Sequence, residues 1–213
     1  MGKGYWAIRT YISGSVGEKI KFWVPGEKPT KSKKKIAADI RKQEQNEKQS
    51  ERNLARILNA NFSAGDVLIG LDYDEKSYES LCIRAGVKPY AKRITEARRD
   101  KLILAAEEEF TLCLRRVQRL AKKKGIEVKA VCITSDMDSE TGELKRVHHH
   151  IVVNREAAKL FQEKWGKCKY VDFEKLRNEP DRTGLAHYLM AQRKHIKDAM
   201  AYHTTRNLIR PKE

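Results

Sequence analysis

The stretch that decides the fold is Val147-His148-His149-His150-Ile151-Val152-Val153-Asn154. Its β-branched and apolar residues predict a strand, along which successive side chains point to opposite faces. Val147, His149, Ile151 and Val153 then share one face, and His148, His150 and Val152 the other. The mostly apolar first set assigns His149 to a helix-covered side and leaves His148 and His150 next to each other on an open side. Imidazole nitrogens held two residues apart on a strand can share one divalent ion, with further ligands coming from elsewhere in the chain. The competing reading is two histidines on a half-exposed sheet with no ion between them.

Before this strand, Ile126 to Thr134 reads as another, and Ser139-Glu140-Thr141-Gly142-Glu143 supplies the turn that makes the two antiparallel neighbours. After it, Asn154 caps a helix carrying Ala158, Phe161 and Trp165 and closed by Gly166. Tyr170-Val171-Asp172-Phe173 is a further strand, and Asp181 opens a last helix. Upstream, Val67, Ile69, Leu71 and Tyr73 alternate with Leu68, Gly70 and Asp72. Residues 92–124 carry Ile94, Ala97, Ile103, Ala106, Phe110, Val117 and Leu120 at helical spacing and stop at Gly125. The order β-α-β-β-α-β-α predicts an α+β domain of the ferredoxin-like kind, an antiparallel sheet with helices on one face.

The N-terminal segment has a different character. Tyr5 to Ile12 and Lys19 to Val24 flank Ser13-Gly14-Ser15-Val16-Gly17 as a hairpin that ends at Pro25-Gly26. Lys31 to Asn61 is a charged segment with sparse apolar marks at Ile36, Ile40, Leu54, Ile57 and Leu58, predicting a weakly buried helix that is either a solvated surface or an arm tracking a polyanion. The expected division is residues 1–60 as ribbon and basic arm and 61–213 as the chemical domain.

At 213 residues and 40% hydrophobic, the chain can bury one good core and is short for two full domains. A formal charge of +16 favours a polyanionic partner with salt-sensitive affinity, and nucleic acid is the default. Basic residues outnumber acidic ones 14 to 6 over 1–60, 24 to 20 over 61–180 and 7 to 3 over 181–213, so half of the excess lies in the first segment. Cys82, Cys113, Cys132 and Cys168 form no C-x-x-C pair, which argues against a zinc ribbon or a disulfide framework and fits reduced thiols. No apolar run reaches the roughly 18 residues of a membrane span, and no signal-peptide block opens the chain, so a cytoplasmic location is expected.

In the last expected helix, Gly184-Leu185-Ala186-His187-Tyr188-Leu189-Met190-Ala191-Gln192, Tyr188 and Gln192 lie about 40° apart and His195 about 20° to the other side of Tyr188. Taken alone, such a tyrosine is more often a core aromatic than a nucleophile. With a metal pair beside it the reading changes to phosphoryl transfer. A phenol with a pKa near 10 attacks phosphorus poorly unless a cation polarises the phosphate and stabilises the departing 3′ oxygen.

His148-His149-His150 resembles the histidine-hydrophobic-histidine motif of HUH endonucleases, with a histidine in the middle position. Asn61-Phe62-Ser63-Ala64-Gly65-Asp66-Val67-Leu68-Ile69-Gly70-Leu71-Asp72-Tyr73 resembles the first motif of rolling-circle replication initiators, and Tyr188 falls where their single-tyrosine helix follows. Gly70 and Asp72 stand where family members often carry threonine. The resemblance covers about residues 50–210. It implies an RNA-recognition-like sheet, a Mg²⁺ or Mn²⁺ ion on His148 and His150, and Tyr188 cutting one strand of phage or plasmid origin DNA to leave a 5′-phosphotyrosine and a free 3′-OH. The four-residue spacing of Tyr188 and Gln192 is similar to single-tyrosine transposases, which implies Gln192 as third ligand; Asp136 or Asp138, where other initiators place glutamate, is the alternative. Tyr202 is the alternative nucleophile. The tail from Tyr202 to Pro211 resembles the Ser/Thr-Arg-Asn end of phage-type initiators, with Arg206 and Arg210 as phosphate contacts.

No G-x-x-x-x-G-K-[ST] signature is present, so unwinding and synthesis are expected from a host helicase and polymerase. Two other readings compete with the initiator. One is a single-tyrosine transposase or relaxase, which shares the cut and differs in substrate. The other is a non-catalytic basic nucleic-acid-binding module, in which the histidines merely hydrogen-bond phosphate.

Overall fold

The computed structural model describes residues 4–26, 35–89, 94–138, 141–193, 196 and 200–211, with backbone alone over 35–41. The expected 139–143 turn lies partly outside these residues, and His195 lies wholly outside them. The protein is α+β, with helices and antiparallel sheets.

Two strands, β1 (Tyr5–Ser13) and β2 (Val16–Val24), pair antiparallel in full register as the expected hairpin. Gly14 turns it at φ 61°, a backbone conformation that suits glycine. Helix α1 (Lys35–Asn61) follows. Its last turns are more buried than the charge pattern predicts, because Leu54, Ala55, Ile57 and Leu58 cluster there and even Arg56 is buried. The Arg56 guanidinium donates to Glu18 at 2.8 Å and Asn53 at 3.0 Å and lies 3.5 Å above the Tyr11 ring.

The second sheet is built from β3 (Val67–Leu71), β4 (Ala130–Met137), β5 (Leu144–Val153), β6 (Asp172–Lys175) and β7 (His203–Thr204), in the order β6-β3-β5-β4-β7 with every pair antiparallel. Between them run α2 (Glu75–Arg84), α3 (Glu96–Lys124), α4 (Arg155–Trp165) and α5 (Thr183–Ala191). The pattern reading missed α2, a short helix capped by Asp74 through the Ser77 amide, and β7, a two-residue edge pairing that no periodicity can signal. Gly125 and Gly166 end α3 and α4 in the left-handed conformation, as their positions predicted. Asn154 precedes α4 without a capping bond from its side chain; its Oδ1 accepts from Lys129 instead.

Helices α3 and α4 cover one sheet face. Phe110 and Phe161 stack at 6.3 Å there, against Val67, Ile69, Leu71, Cys132, Val147, Ile151 and Val153. The expectation that the other face is open needs correction, since Val131, Ile133, Ser135 and Val152 on that face are fully buried too. The cause is legible in β4: Ala130-Val131-Cys132-Ile133 is continuously apolar rather than alternating, the composition of a strand covered on both sides. Part of that cover is the end of α5, where Ser135 donates to the Gln192 carbonyl at 2.7 Å and pairs with Arg193.

The chain clusters into two compact units. One comprises Met1–Asn61 with Pro180–His187 and Ile209–Glu213, the other Phe62–Glu179 with Tyr188–Leu208. Within the first, Asn59 accepts from the Arg182 amide, and Asn61 exchanges two hydrogen bonds with Ile209. Those bonds attach the two late segments to the N-terminal one.

Candidate metal and tyrosine site

The register of β5 divides its three histidines as the alternation predicted. His149 lies opposite Thr134 and Leu71 on the α3/α4 side, while His150 lies opposite Ile133 and Gly70 and His148 opposite Ser135 on the other.

His149 is a satisfied core histidine. It is completely buried, with Nε2 3.1 Å from the Tyr73 hydroxyl and Nδ1 3.0 Å from the Thr134 hydroxyl, inside a cage of Phe110, Trp165 and Tyr73. Burial, then the neighbouring His148, His150 and His203, lower its pKa to about 3, so the ring is neutral at any ordinary pH.

His148 and His150 turn their Nε2 atoms towards each other at 3.0 Å. The Nδ1–H of His148 donates to the Arg146 carbonyl at 2.9 Å, which fixes the tautomer and leaves Nε2 as the acceptor in its contact with His150. Burial first, and repulsion from His148 second, lower the His150 pKa to about 4, with a hydrogen bond from His150 to the Gln192 amide oxygen opposing the shift. His150 is therefore neutral at pH 7.

Gln192 completes the cluster. It is 4% exposed, its amide nitrogen donates to the Tyr188 carbonyl at 3.3 Å, and its Oε1 is buried without a hydrogen bond of good geometry. A buried amide oxygen beside two imidazole nitrogens is a donor set that would suit a divalent cation. Neighbouring ligands of an octahedral ion bound at about 2.1 Å stand about 3.0 Å apart, the separation of the two Nε2 atoms. Among the described residues no group of three His, Cys, Asp or Glu side chains converges.

The ring of Tyr188 stands 6.0 Å from that of His150, nearly edge-on, and the side chain is 39% exposed. Thus His148, His150, Gln192 and Tyr188 come together in one unit on one sheet face. What joins them is Ser135, which sequence reasoning did not single out. It lies opposite His148 on β5 and holds the end of α5 through the Gln192 carbonyl. The signal was available as a serine inside an apolar strand.

The other sequence candidates lie elsewhere or are occupied. Asp136 is held in two hydrogen bonds by Arg99, at 2.6 and 2.8 Å, and this pairing raises the Arg99 pKa further. Asp138 ties the β4–β5 turn, accepting from the Thr141 amide at 3.0 Å and facing Lys145 at 3.7 Å. Tyr202 lines a seam with Ile103, Glu107, Cys132 and Thr134 at the β4 edge. Arg206 lines a groove with Arg115 and Lys122 along α3, and Arg210 is exposed near the end of the chain. Gly70 faces His150 across the ladder and leaves room there, since an added Cβ would meet only Asp172 at 3.7 Å. Asp72 is exposed just beyond β3, and its carbonyl accepts from the Trp165 indole.

No protein-family model, curated protein or solved structure matches the chain, so the reading of this site rests on its own geometry.

Proposed function

We propose that the protein is a divalent-metal-dependent endonuclease of the HUH type that nicks and rejoins single-stranded DNA through Tyr188 and so starts rolling-circle replication. The observation that carries this reading is the facing pair of His148 and His150 nitrogens at 3.0 Å with the Tyr188 ring 6.0 Å from His150. Supporting it, the β6-β3-β5-β4 order around α3 and α4 is the order of a ferredoxin-like sandwich, the scaffold the resemblance implies.

In this reading the phenolic oxygen of Tyr188 attacks phosphorus and the P–O3′ bond breaks. The electron pair leaves on the 3′ oxygen, which takes a proton as the phenol loses one. The products are a 5′-phosphotyrosine and a free 3′-OH, and the same steps in reverse rejoin a strand without ATP. His148, His150 and Gln192 would hold Mg²⁺ or Mn²⁺, which supplies charge stabilisation at the phosphate and at the leaving oxygen. The Arg146 carbonyl orients His148, Ser135 holds the end of α5 against β4, and His149 belongs to the core beneath. Origin DNA is the proposed substrate, with helicase and polymerase as host partners. The Tyr188–Gln192 spacing, with the amide beside His150, also suits a single-tyrosine transposase, which differs in the DNA it cuts.

The test is incubation with single-stranded origin DNA and Mn²⁺. The expected result is a denaturation-resistant protein–DNA adduct that EDTA and Tyr188→Phe both abolish. An adduct that survives Tyr188→Phe but is lost in Tyr202→Phe would move the nucleophile. DNA binding with no adduct under any metal would make the protein a binding module.

A further inference from the structure

One face of the β1–β2 ribbon packs near the turn, and the other is uncovered along its length. On the packing face, Tyr11 lies beneath Arg56, Glu18 is tied to the same arginine, and Ser13 is buried. The register places Trp6 opposite Trp23, Ile8 opposite Lys21, Thr10 opposite Lys19 and Ile12 opposite Gly17 on the other face. That face is uncovered: Trp6 is 59% exposed, Trp23 50%, Ile8 66% and Ile12 72%. A hairpin of two nine-residue strands with two indoles and two isoleucines in water is not built that way for stability.

From this face we infer a second nucleic-acid contact, in which the ribbon's outer surface, Trp6, Ile8, Ile12, Lys19, Lys21 and Trp23, binds single-stranded DNA by base stacking and phosphate pairing. The charge is complementary, since both ionisable groups on that face are lysines and the acid of β2, Glu18, faces the other way. The two indoles meet edge to face at 5.4 Å, and the Lys21 ammonium lies 4.9 Å from the Trp6 ring, so aromatic faces and cations are interleaved at close range. Alternating π-faces and phosphates are what a single strand presents, and stacking on exposed aromatics tolerates any base. A second copy of the ribbon would bring like charges together, and a bilayer would have to accept Lys19 and Lys21 in the middle of the apolar row. The assignment stands on the ribbon alone and needs neither the histidine pair nor Tyr188.

The chain's own fluorescence tests it, because of its three tryptophans only Trp165 is buried. Titration of the full-length protein with unstructured oligothymidylate should quench the indole emission, equally in wild type and in Tyr188→Phe. Trp6→Ala and Trp23→Ala should each weaken binding of a labelled oligothymidylate by roughly tenfold or more. Lys19→Ala with Lys21→Ala should instead flatten the dependence of log affinity on log salt by about 0.7 per lysine. Trp6→Tyr and Trp23→Tyr, which keep an aromatic face, should retain most of the affinity and so separate stacking from folding of the ribbon. Unchanged affinity in the Trp6→Ala/Trp23→Ala double variant would overturn the inference. So would quenching by phosphatidylglycerol vesicles but not by DNA, equal affinity for duplex, or indole emission that shifts with protein self-association instead.

Discussion

At the scale of single residues, three adjacent histidines have two fates set by the parity of a strand. His149 goes into the core and is held by two hydroxyls, while His148 and His150 meet on the other face, Nε2 to Nε2. His148→Ala or His150→Ala should therefore abolish adduct formation while leaving DNA affinity within about twofold, because surface charge supplies most of that affinity. Electrophoresis of the adduct and anisotropy of labelled DNA measure the two separately. Gln192→Ala should weaken Mn²⁺ binding by roughly tenfold, since in the proposed site it removes one of three protein donors. A titration showing unchanged Mn²⁺ affinity in that variant would remove Gln192 from the ligand set. Parity was legible from the sequence, but the sharing of one position by His150 and Gln192, 42 residues apart, was not.

At the scale of elements, the Arg99–Asp136 pair fastens α3 to β4. Its two short hydrogen bonds and low exposure make it a partly buried ion pair whose disruption leaves a charge without its partner. Asp136→Ala should cost about 3 kcal/mol in urea unfolding. Because the carboxylate is committed to Arg99, Mn²⁺ affinity should not change, and a loss of metal binding would restore Asp136 as a ligand. The helices α3 and α4 could be read from apolar spacing and glycine terminators because their burial is one-sided and periodic. The burial of the second sheet face could not be read from β5 alone, where two histidines suggested exposure. It was written in the unbroken apolar run of β4.

At the scale of the whole molecule, stability should respond to acid and to metal together. Both His149 and His150 have pKa values lowered in the fold, to about 3 and about 4, against 6.5 when unfolded. Below pH 6.5 the unfolded chain takes up these protons first, so stability is intact above that pH and falls as pH drops towards 4. The slope is up to about 1.4 kcal/mol per pH unit for each ring. Thermal denaturation in EDTA should show Tm falling across this window, and a flat Tm would mean that the rings are protonated in the native state. At neutral pH, Mn²⁺ at about a hundred times its Kd should add about 2.7 kcal/mol, and His148→Ala should lose that gain. No described helix is long and apolar enough to cross a membrane.

By itself, the sequence determined what depends on neighbours along the chain: strand parity, helix faces, glycine terminators, the hairpin and the balance of charge. These follow from the periods of 2 and 3.6 residues and from local backbone sterics. Only the tertiary structure decided that Ser135 holds the end of α5 beside the histidine pair, that Asp136 is spent on Arg99, and that Tyr202 lines a seam with Ile103 and Thr134. Residues 180–187 and 209–213 likewise cluster with the first 61 only once the chain is folded. Each of these is a contact between segments far apart in sequence, chosen by packing and by the need of buried polar groups for partners.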